Sequence, residues 1–477
     1  MTLEAVRATE APSSWPAHDP ATWRQVPTSS EPIDRARVLS LLESEWERFA
    51  SSTPESGAHN IRSSNSLPLG VTSSFQHWDP YPISIDSARG AWLTDVDGRQ
   101  LLDLSMGFGA MLVGHLNPVV VEHVTRALNE TGTLFVTPSP SATDVAERYQ
   151  RRFGIDLVRF TNSGTEATMY AVRTARAYTM RHGIVKIEGG YHGGYDALSV
   201  SVKPDVSEAG PEHAPIAVTP FEVEAGTVHV VPYNDLDRLE QILSASASEI
   251  AAVVMEPVLE NIGIVVPDAG YLAGVRAACD RHGVLLVFDE VKTGLTAGHG
   301  GAAQRLGVIP DLVCLAKSIG GGLPLAAFGG KAEVMAAVVD NRMAHFGTYN
   351  GNPLVMAAAV AVDELCTPEA LAAAESLNEE AMRSIDAIIA EFQLPAHTVG
   401  FGVKGAVTWA PTPVRNYRDY KRTDFGVAEL SWLWGVNRGI LTPPGLDEQW
   451  LVSLMHTSAD LDLLVQEFSD LAEALRA

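Results

Sequence analysis

A lysine close to a run of glycines is the first feature of this sequence that could do chemistry. In CLAKSIGGGLP, which begins at Cys314, Lys317 ends an apolar run and the glycines occupy 320–322. Lysine and glycine are common on protein surfaces, so a chance lysine in a loop is the ordinary interpretation. The alternative is a reactive amine beside backbone that a ligand can approach closely, because glycine leaves room for it.

Polar residues stand at the ends of four other short apolar runs. They are Asn162-Ser163-Gly164-Thr165, Tyr191-His192-Gly193-Gly194, Glu256 and Asp289. Ligands of an open α/β sheet bind beyond the carboxyl ends of its strands, so these residues and Lys317 predict one shared site. Taken singly, Asp289 could instead cap a helix and Tyr191 could pack in a core.

The segment NSGTEA indicates what this site could bind. It places Ser163, Gly164 and Thr165 just before a predicted helix, where backbone N–H groups and hydroxyls bind anions such as phosphate. Serine and threonine are also plain helix caps. No GxxxxGK[ST] pattern occurs, and GFGAML at 107–112 lacks the third glycine of a dinucleotide fingerprint, so a nucleotide is the weaker interpretation.

Together, a phosphate site, an acid that ends one strand and a lysine that ends a later strand suggest pyridoxal phosphate (PLP). This cofactor needs a lysine that forms a Schiff base, an acid beside the pyridine nitrogen and a phosphate site. The acid keeps the ring nitrogen protonated, and the lysine moves protons once the substrate amine has displaced it.

The elements that must position these residues alternate between strands and helices. Continuously apolar runs predict strands buried on both faces, at LVRF (157–160), IVKI (184–187), IAAVVM (250–255), VLLVF (284–288) and LVCLA (312–316). Helices are predicted at GTEATMYAVRTARAYTM and YLAGVRAACDRHG. This alternation predicts an α/β fold with a parallel sheet.

The two ends of the chain have a different character. APSSWPAHDP and SSTPESGAHN predict loops on either side of a helix, IDRARVLSLLESEWERFA. Near the other end, GAVTWA and WLVSLMH predict strands, and a closing helix follows Thr457 and Asp460, which have the spacing of a capping box. We therefore predict an N-terminal extension (1–60), the first part of a small domain (61–114), a large domain (115–364) and a C-terminal small α+β domain (365–477).

Composition and charge restrict the possible partners. The formal net charge of −24 disfavours binding to nucleic acid or to an anionic membrane. The three cysteines are widely spaced and show neither a disulfide framework nor a zinc-binding spacing. We see no secretory signal and no apolar run of membrane-spanning length, so we expect a soluble cytoplasmic enzyme without a metal.

Six motifs make the sequence recognisable. It resembles the class III (fold type I) PLP-dependent aminotransferases, within which it is most similar to glutamate-1-semialdehyde aminomutases and β-phenylalanine-type aminotransferases. The resemblance covers about residues 80 to 360 and rests on RFTNSGTEA, GGYHGGYD, MEPVLENIG, LLVFDEVKTG, DLVCLAKSIGGGLPLAAFGG and FGTYNGNPL. It implies a large domain with a mostly parallel seven-stranded sheet, a smaller α+β domain and a homodimer.

The resemblance also implies a role for each matched residue. Lys317 forms the Schiff base and carries the proton shift, and Asp289 pairs with the pyridine nitrogen. Tyr191 stacks on one face of the cofactor ring and Val291 packs on the other. The remaining cofactor residues are Ser163, Gly164 and Thr165 at the phosphate, Thr348 at the phosphate of the neighbouring subunit, Asn261 near the phenolic oxygen, and His192 and Glu256 in supporting positions.

Substrate recognition is where the sequence departs from the family. The family's loop arginine, which meets a substrate carboxylate, has only Ser73 or Ser74 as its counterpart in LGVTSSFQHWDPYP, and LTPPGLDEQW lacks a second arginine. Another arginine could serve, such as Arg62, Arg415 or Arg422. Alternatively, the substrate is a bulky amine in an apolar pocket that comprises Ser73, Phe75, His77, Trp78, Tyr81 and Phe108.

We therefore expect transfer of an amino group from a bulky or hydrophobic amine to a keto acid, by a ping-pong mechanism through pyridoxamine phosphate. A β-amino acid aminotransferase is the nearest alternative. A glutamate-1-semialdehyde-type 2,1-aminomutase is favoured by Asn261 and disfavoured by the missing arginine. A non-catalytic protein with this fold is least favoured, because it would not need the lysine, the acid and the phosphate residues.

Overall fold

The structure of this protein is a computed structural model that describes residues 30–443 and 449–477. Its helices are α1 (Arg35–Ser52), α2 (Pro54–Ser63), α3 (Pro118–Glu130), α4 (Pro140–Phe153), α5 (Gly164–Thr179), α6 (Leu236–Ser246), α7 (Tyr271–His282), α8 (Gly301–Leu306), α9 (Ala332–Val339), α10 (Pro353–Leu365), α11 (Pro368–Glu391), α12 (Tyr417–Tyr420), α13 (Phe425–Asn437) and α14 (Ser458–Arg476). Its strands are β1 (Ile85–Arg89), β2 (Trp92–Asp95), β3 (Gln100–Asp103), β4 (Leu157–Thr161), β5 (Gly183–Ile187), β6 (Val228–Val231), β7 (Ile250–Met255), β8 (Leu285–Asp289), β9 (Leu312–Leu315), β10 (Ala326–Gly330), β11 (His397–Phe401), β12 (Lys404–Thr408), β13 (Ile440–Leu441) and β14 (Trp450–Leu451).

A seven-stranded sheet forms the centre of the molecule, in the order β4-β10-β9-β8-β7-β5-β6. Strand β10 is antiparallel to both of its neighbours, and the other pairings in the sheet are parallel. Every residue of β5, β7, β8 and β9 is buried, and apart from Lys186 and Asp289 these strands are apolar, as expected when helices cover both faces. The predicted α/β class and the mostly parallel seven-stranded sheet are confirmed.

Helix α5 shows how the sequence packs against this sheet. Its buried face carries Ala167, Ala171 and Ala175, whose small side chains let the helix approach the strands closely. They share an apolar cluster with Val287 of β8 and Phe328 of β10. The helix begins at the end of β4, so this packing also fixes the position of its N-terminus.

Two smaller sheets lie outside the central one, in the orders β1-β2-β3-β13 and β11-β12-β14. In the first, β13 near the end of the chain runs parallel to β3, and Ile440 pairs with Leu102. This pairing joins the segments that we assigned to the two parts of the small domain. A smaller α+β part is confirmed, and the domain boundaries at 60, 114 and 364 stay predictions.

Some local expectations were wrong. The predicted loop SSTPESGAHN is largely helical, because proline is well tolerated at the first position of a helix, and α2 begins at Pro54. The strand predicted at WLVSLMH is limited to Trp450–Leu451. The capping box at the start of α14 is present, with Thr457 and Asp460 each accepting from the other's backbone N–H. The predicted loop APSSWPAHDP lies outside the described residues.

No helix within residues 30–443 and 449–477 is both long and apolar enough to cross a membrane.

Candidate functional site

A cavity of about 440 Å³ lies at the edge of the central sheet where β4, β5, β7, β8 and β9 end. The strand-end residues that the sequence pointed to meet here. The lining includes Phe75, Phe108, Asn162, Ser163, Gly164, Thr165, Tyr191, His192, Glu256, Asn261, Asp289, Val291, Lys292 and Lys317.

Lys317 lies at one side of this cavity, two residues after the end of β9. It begins a short 3₁₀ turn, Lys317–Gly320, and its own φ angle is 52°, in the left-handed region. A non-glycine residue held there stores backbone strain, which is typical of functional sites. Because β9 and β10 pair on either side of this turn, the sheet holds the lysine backbone in place.

The N-terminus of α5 forms the part of the cavity where an anion could bind. Ser163 caps the helix, its Oγ accepting from the backbone N–H of Glu166 at 3.2 Å. A Cβ on Gly164 would stand 3.1 Å from a methyl of Val291, and one on Gly193 would stand 2.7 Å from the Cα of Thr165. Glycine at these two positions therefore lets Val291 and Thr165 approach closely. This close packing lies next to backbone N–H groups that can hold a phosphate.

Asp289 presents a fixed carboxylate to the cavity. Its Oδ2 is 2.8 Å from Nδ1 of His192, and its Oδ1 accepts from the backbone N–H of Val291 at 3.0 Å. His192 is held in turn by Thr168, whose hydroxyl donates to the His192 carbonyl at 2.6 Å. Asp289 and His192 are both buried, so the acid has a single well-defined position.

Glu256 and Asn261 form a further part of the cavity lining. Asn261 Nδ2 donates to Glu256 Oε1 at 2.9 Å, and the backbone N–H of Glu260 donates to Glu256 Oε2 at 2.9 Å. Burial raises the pKa of Glu256, while the charges of His192 and Lys292 lower it. Glu256 thus orients Asn261 towards the cavity and braces the turn after β7.

Aromatic side chains form one wall. Phe75 meets the edge of Tyr191, with ring centroids 5.9 Å apart and an interplanar angle of 84°. Phe108 lies against the same Phe75 ring, at 5.9 Å. Burial and the Asp289 carboxylate raise the pKa of Tyr191, and the Lys292 ammonium lowers it. This aromatic wall therefore adjoins the ionisable side chains of Asp289 and Lys292.

These residues fit PLP, since Lys317, Asp289 and the start of α5 supply the lysine, the acid and the phosphate site that the cofactor needs. A family model described as aminotransferase class-III matches residues 74–403. The chain belongs to the class-III aminotransferase family.

Similar proteins agree with this class-III assignment. Glutamate-1-semialdehyde 2,1-aminomutase of Thermomicrobium roseum is 40% identical over 408 residues, 84% of this chain and 94% of the relative. A glutamate-1-semialdehyde aminomutase variant from Pseudomonas aeruginosa PAO1, solved in complex with PMP, matches with a TM-score of 0.85 at 27% identity, covering 93% of this chain and 99% of that one. A β-phenylalanine aminotransferase from Variovorax paradoxus matches with a TM-score of 0.82 at 30% identity, covering 91% and 97%. The predicted resemblance, the PLP cofactor and an enzymatic activity are confirmed.

Four other predicted pocket residues do not line the cavity, namely Ser73, His77, Trp78 and Tyr81. Trp78 packs edge-on against Trp432 at 5.4 Å, and Tyr81 packs against Phe49 at 5.4 Å. Ser73 is exposed and precedes a short 3₁₀ turn. Of the predicted apolar pocket, the structure therefore brings Phe75 and Phe108 to the cofactor site.

Thr348 and the candidate arginines also lie elsewhere in this class-III chain. Thr348 is exposed in the loop before α10. Arg62 is exposed at the end of α2, Arg415 pairs with Asp268, and Arg422 pairs with Asp419 at 2.7 Å. No arginine of residues 30–443 or 449–477 lines the cavity.

Sequence reasoning missed Lys292, which does line the cavity of this class-III aminotransferase. It belongs to a buried group that also contains Glu260, Lys404 and Gln449, which we call the lysine cluster. A signal was present, because Glu260 and Lys292 are charged residues inside the two matched motifs MEPVLENIG and LLVFDEVKTG. Lys404 and Gln449 lie far along the chain and carry no local signal.

Proposed function

We propose that this protein moves an amino group between carbons of a small substrate with PLP, and that the reaction is a 2,1-aminomutation of the glutamate-1-semialdehyde type. The sequence led us to expect transfer between two molecules, with a hydrophobic amine as donor. The relatives support the alternative better, since an aminomutase is 40% identical across 94% of its length. PLP chemistry is supported by the cavity that brings together Lys317, the Asp289–His192 pair and the start of α5. The observation that carries the 2,1-aminomutation is the similarity to the aminomutases over most of their length.

Each residue has a distinct task in this proposal. PLP, when bound, draws electrons away from the substrate carbon that bears the amino group. Asp289, fixed by His192, holds a proton at the ring nitrogen so that this withdrawal is effective. The amine of Lys317 takes a proton from one carbon and returns it to another. The N-terminus of α5 holds the phosphate, and Phe75 and Tyr191 limit the access of water.

The reaction itself is an isomerisation. In glutamate 1-semialdehyde the aldehyde carbon neighbours the carbon that carries the amine. Exchanging the oxo and amino groups between these two carbons gives 5-amino-4-oxopentanoate, with no change in atoms or electrons. No second substrate is therefore consumed, which separates this reaction from an intermolecular transamination.

A second candidate is transamination of an amine with a bulky apolar substituent. It is favoured by the wall of Phe75, Phe108 and Tyr191 and by the absence of arginine from the cavity lining in the described chain. A β-amino acid is a further possible donor for the same apolar wall.

One spectroscopic experiment separates these reactions. The PLP-loaded protein is mixed with glutamate 1-semialdehyde alone and formation of 5-amino-4-oxopentanoate is followed. In parallel, loss of the visible cofactor band is followed with a hydrophobic amine, a β-amino acid and an α-amino acid. Isomerisation without a co-substrate supports the aminomutase, whereas fast bleaching by one donor class and no isomerisation supports the transaminase.

The variant Lys317→Ala tests the role of the lysine in either case. We expect turnover to fall by at least about 1,000-fold, because the amine that would attach the cofactor and carry the proton is lost. Undiminished turnover would refute the assignment of Lys317.

We also propose a cytoplasmic homodimer in which Thr348 reaches the phosphate of the partner subunit. Phe346 and Tyr349, on either side of Thr348, are 81% and 63% exposed in the single chain, as expected of side chains that a second subunit covers. Sedimentation of the PLP-loaded protein tests the dimer. If the chain sediments as a monomer while fully active, the proposed role of Thr348 fails.

A further inference from the structure

A smaller cavity lies in the C-terminal part of the chain and shares no lining residue with the cofactor cavity. Its volume is about 90 Å³, and α13, α14 and β12 contribute to its walls. Four aromatic side chains line it, which are Trp409, Trp432, Trp450 and Phe468. Aromatic faces attract cations and also cover apolar surface, so this lining suits a ligand that offers both.

Three of these rings are held in place by contacts that do not involve a ligand. Trp450 Nε1 donates to Asn378 Oδ1 at 2.8 Å, which fixes the orientation of the indole. Trp409 and Phe468 are both buried and pack against each other, with ring centroids 6.0 Å apart. A ligand would therefore lose little affinity to the ordering of the lining, because these side chains are already ordered.

Glu467 adds an acid to this aromatic lining. Its Oε1 is buried and has no hydrogen-bond partner in the described part of the chain. Burial raises the pKa of the carboxyl to about 8, the charge of Arg438 lowers it and the charge of Asp470 raises it. Nη1 and Nη2 of Arg438 donate to the Glu45 carboxylate, at 3.0 Å and 2.9 Å. A buried acceptor without a partner is costly, so a donor that enters the cavity would stabilise this side chain.

The size of the cavity limits what can enter. One water takes about 30 Å³ of liquid volume, so 90 Å³ suits a group of about three or four heavy atoms. We propose that the cavity binds a tertiary methylated ammonium group, for which trimethylammonium is the simplest example. Its single N–H donates to Glu467 Oε1 and its methyl groups pack on the aromatic faces, which also attract its charge. An inorganic cation would lack the apolar surface that these rings can cover.

The position of this ammonium site gives it access to solvent and a neighbour near the cofactor. Glu467 and Trp432 are partly exposed, whereas the other three rings are buried, so a ligand can enter on their side. Trp432 also packs edge-on against Trp78, with ring centroids 5.4 Å apart. Trp78 belongs to the same loop as Phe75, which lines the cofactor cavity. The ammonium site therefore lies close to the loop that borders the cofactor cavity.

The test compares trimethylammonium chloride with propan-2-ol, a neutral molecule with the same number of heavy atoms. Binding to the PLP-loaded protein is measured by NMR of the methyl protons of each ligand. A tertiary amine cannot form a Schiff base, so reaction with the cofactor does not contribute. Four heavy atoms limit the dissociation constant to about 0.05 mM or weaker. We expect the wild type to bind the ammonium about 10-fold or more tightly than the alcohol.

Two variants locate the binding in this cavity. Glu467→Gln keeps the shape of the side chain and removes its charge, so it should weaken binding of the ammonium about 10-fold or more and binding of the alcohol less than about threefold. Gly435→Ala keeps the acid and places a Cβ 3.6 Å from Glu467 Oε1, so it should weaken binding of the ammonium at least about threefold. The control is Glu473→Gln, the same substitution at an exposed position of α14, and its affinities should match those of the wild type.

The proposal is overturned if the wild type does not discriminate between the ammonium and the alcohol, as a cavity filled only by water would not. It is equally overturned if Glu467→Gln keeps the wild-type preference. Should Glu467→Gln fail to fold, undiminished affinity of Gly435→Ala for the ammonium would overturn it. Since binding needs neither turnover nor Lys317, these results stand even if neither proposed reaction is observed.

Discussion

Lys186 should make the stability of this protein depend strongly on pH. This lysine lies in the fully buried strand β5, and its Nζ donates to the carbonyls of Gly190 and Val200 at 2.8 Å and 2.5 Å. Burial lowers its pKa from 10.5 to about 7, and the charge of Glu256 partly opposes this effect. The lowering corresponds to about 5 kcal/mol of unfavourable free energy while the amine is protonated in the folded state.

The sign of the pH dependence follows from the difference in the pKa of Lys186 between the folded and the unfolded chain. The unfolded chain keeps this proton up to the ordinary pKa of 10.5, whereas the folded chain releases it near 7. Between these values the unfolded chain binds more protons, so the folded state gains stability as the pH rises. From pH 7 to pH 9 the wild type should therefore gain about 2–3 kcal/mol relative to a variant without this amine.

The variant Lys186→Met removes the titrating group and keeps the length of the side chain. Its unpaired carbonyls at Gly190 and Val200 cost about 1–3 kcal/mol each, but this cost does not change with pH and cancels in the comparison. Urea unfolding of PLP-loaded wild type and variant at pH 7 and pH 9, at one protein concentration, measures the difference. The exposed variant Lys421→Met should show no such difference. A change below about 0.5 kcal/mol between the two pH values would refute the reasoning.

Two further predictions concern charges around the site. Asp289→Asn should slow the loss of the visible cofactor band after an amine substrate is added by at least about 100-fold, because a neutral amide beside His192 no longer holds the proton at the cofactor ring. Stopped-flow absorbance at saturating PLP measures this rate. An unchanged rate would contradict the role of the acid. Lys404→Met should lower the free energy of unfolding by about 3–5 kcal/mol, because it removes the partner of the buried Glu260 carboxylate. The double variant Lys404→Met/Glu260→Leu should recover most of this loss. Urea unfolding measures both. As a control, Arg35→Ala breaks the exposed ion pair with Asp424 and should lower the free energy of unfolding by less than about 1 kcal/mol. Equal losses of stability in Arg35→Ala and Lys404→Met would contradict this reasoning.

The sequence predicted the central sheet well because burial on both faces leaves a strong local pattern. Strands that are apolar throughout, such as β7 and β9, can be predicted without knowledge of their neighbours. The positions of Asp289 and Lys317 followed from the same pattern, since both stand at strand ends. Parallel strands necessarily bring such ends to one edge, which is why the meeting of these residues in one cavity could be predicted.

The surroundings of the substrate could not be predicted in the same way. Trp78 and Phe75 are both aromatic residues of one loop, and only the fold determines that Phe75 lines the cavity while Trp78 packs against Trp432. Lys404 reaches Glu260 across 144 positions of sequence, so neither residue reveals the other. Such contacts depend on how the C-terminal segment packs against the large sheet, and no local pattern encodes that.

The turn that carries Lys317 has a consequence for how this enzyme can be altered. Residues 316–325 connect two neighbouring antiparallel strands, with Leu315 paired to Ala327, so both ends of the connection are anchored. One inserted residue would either slip the register of β10, turning its side chains to the opposite face, or push the lysine out of reach of the cavity. The loops after β6, β7 and β8 lead into helices and can absorb length changes more easily. Loop grafting intended to change substrate range should therefore leave this connection at its present length and target the segment around Phe75.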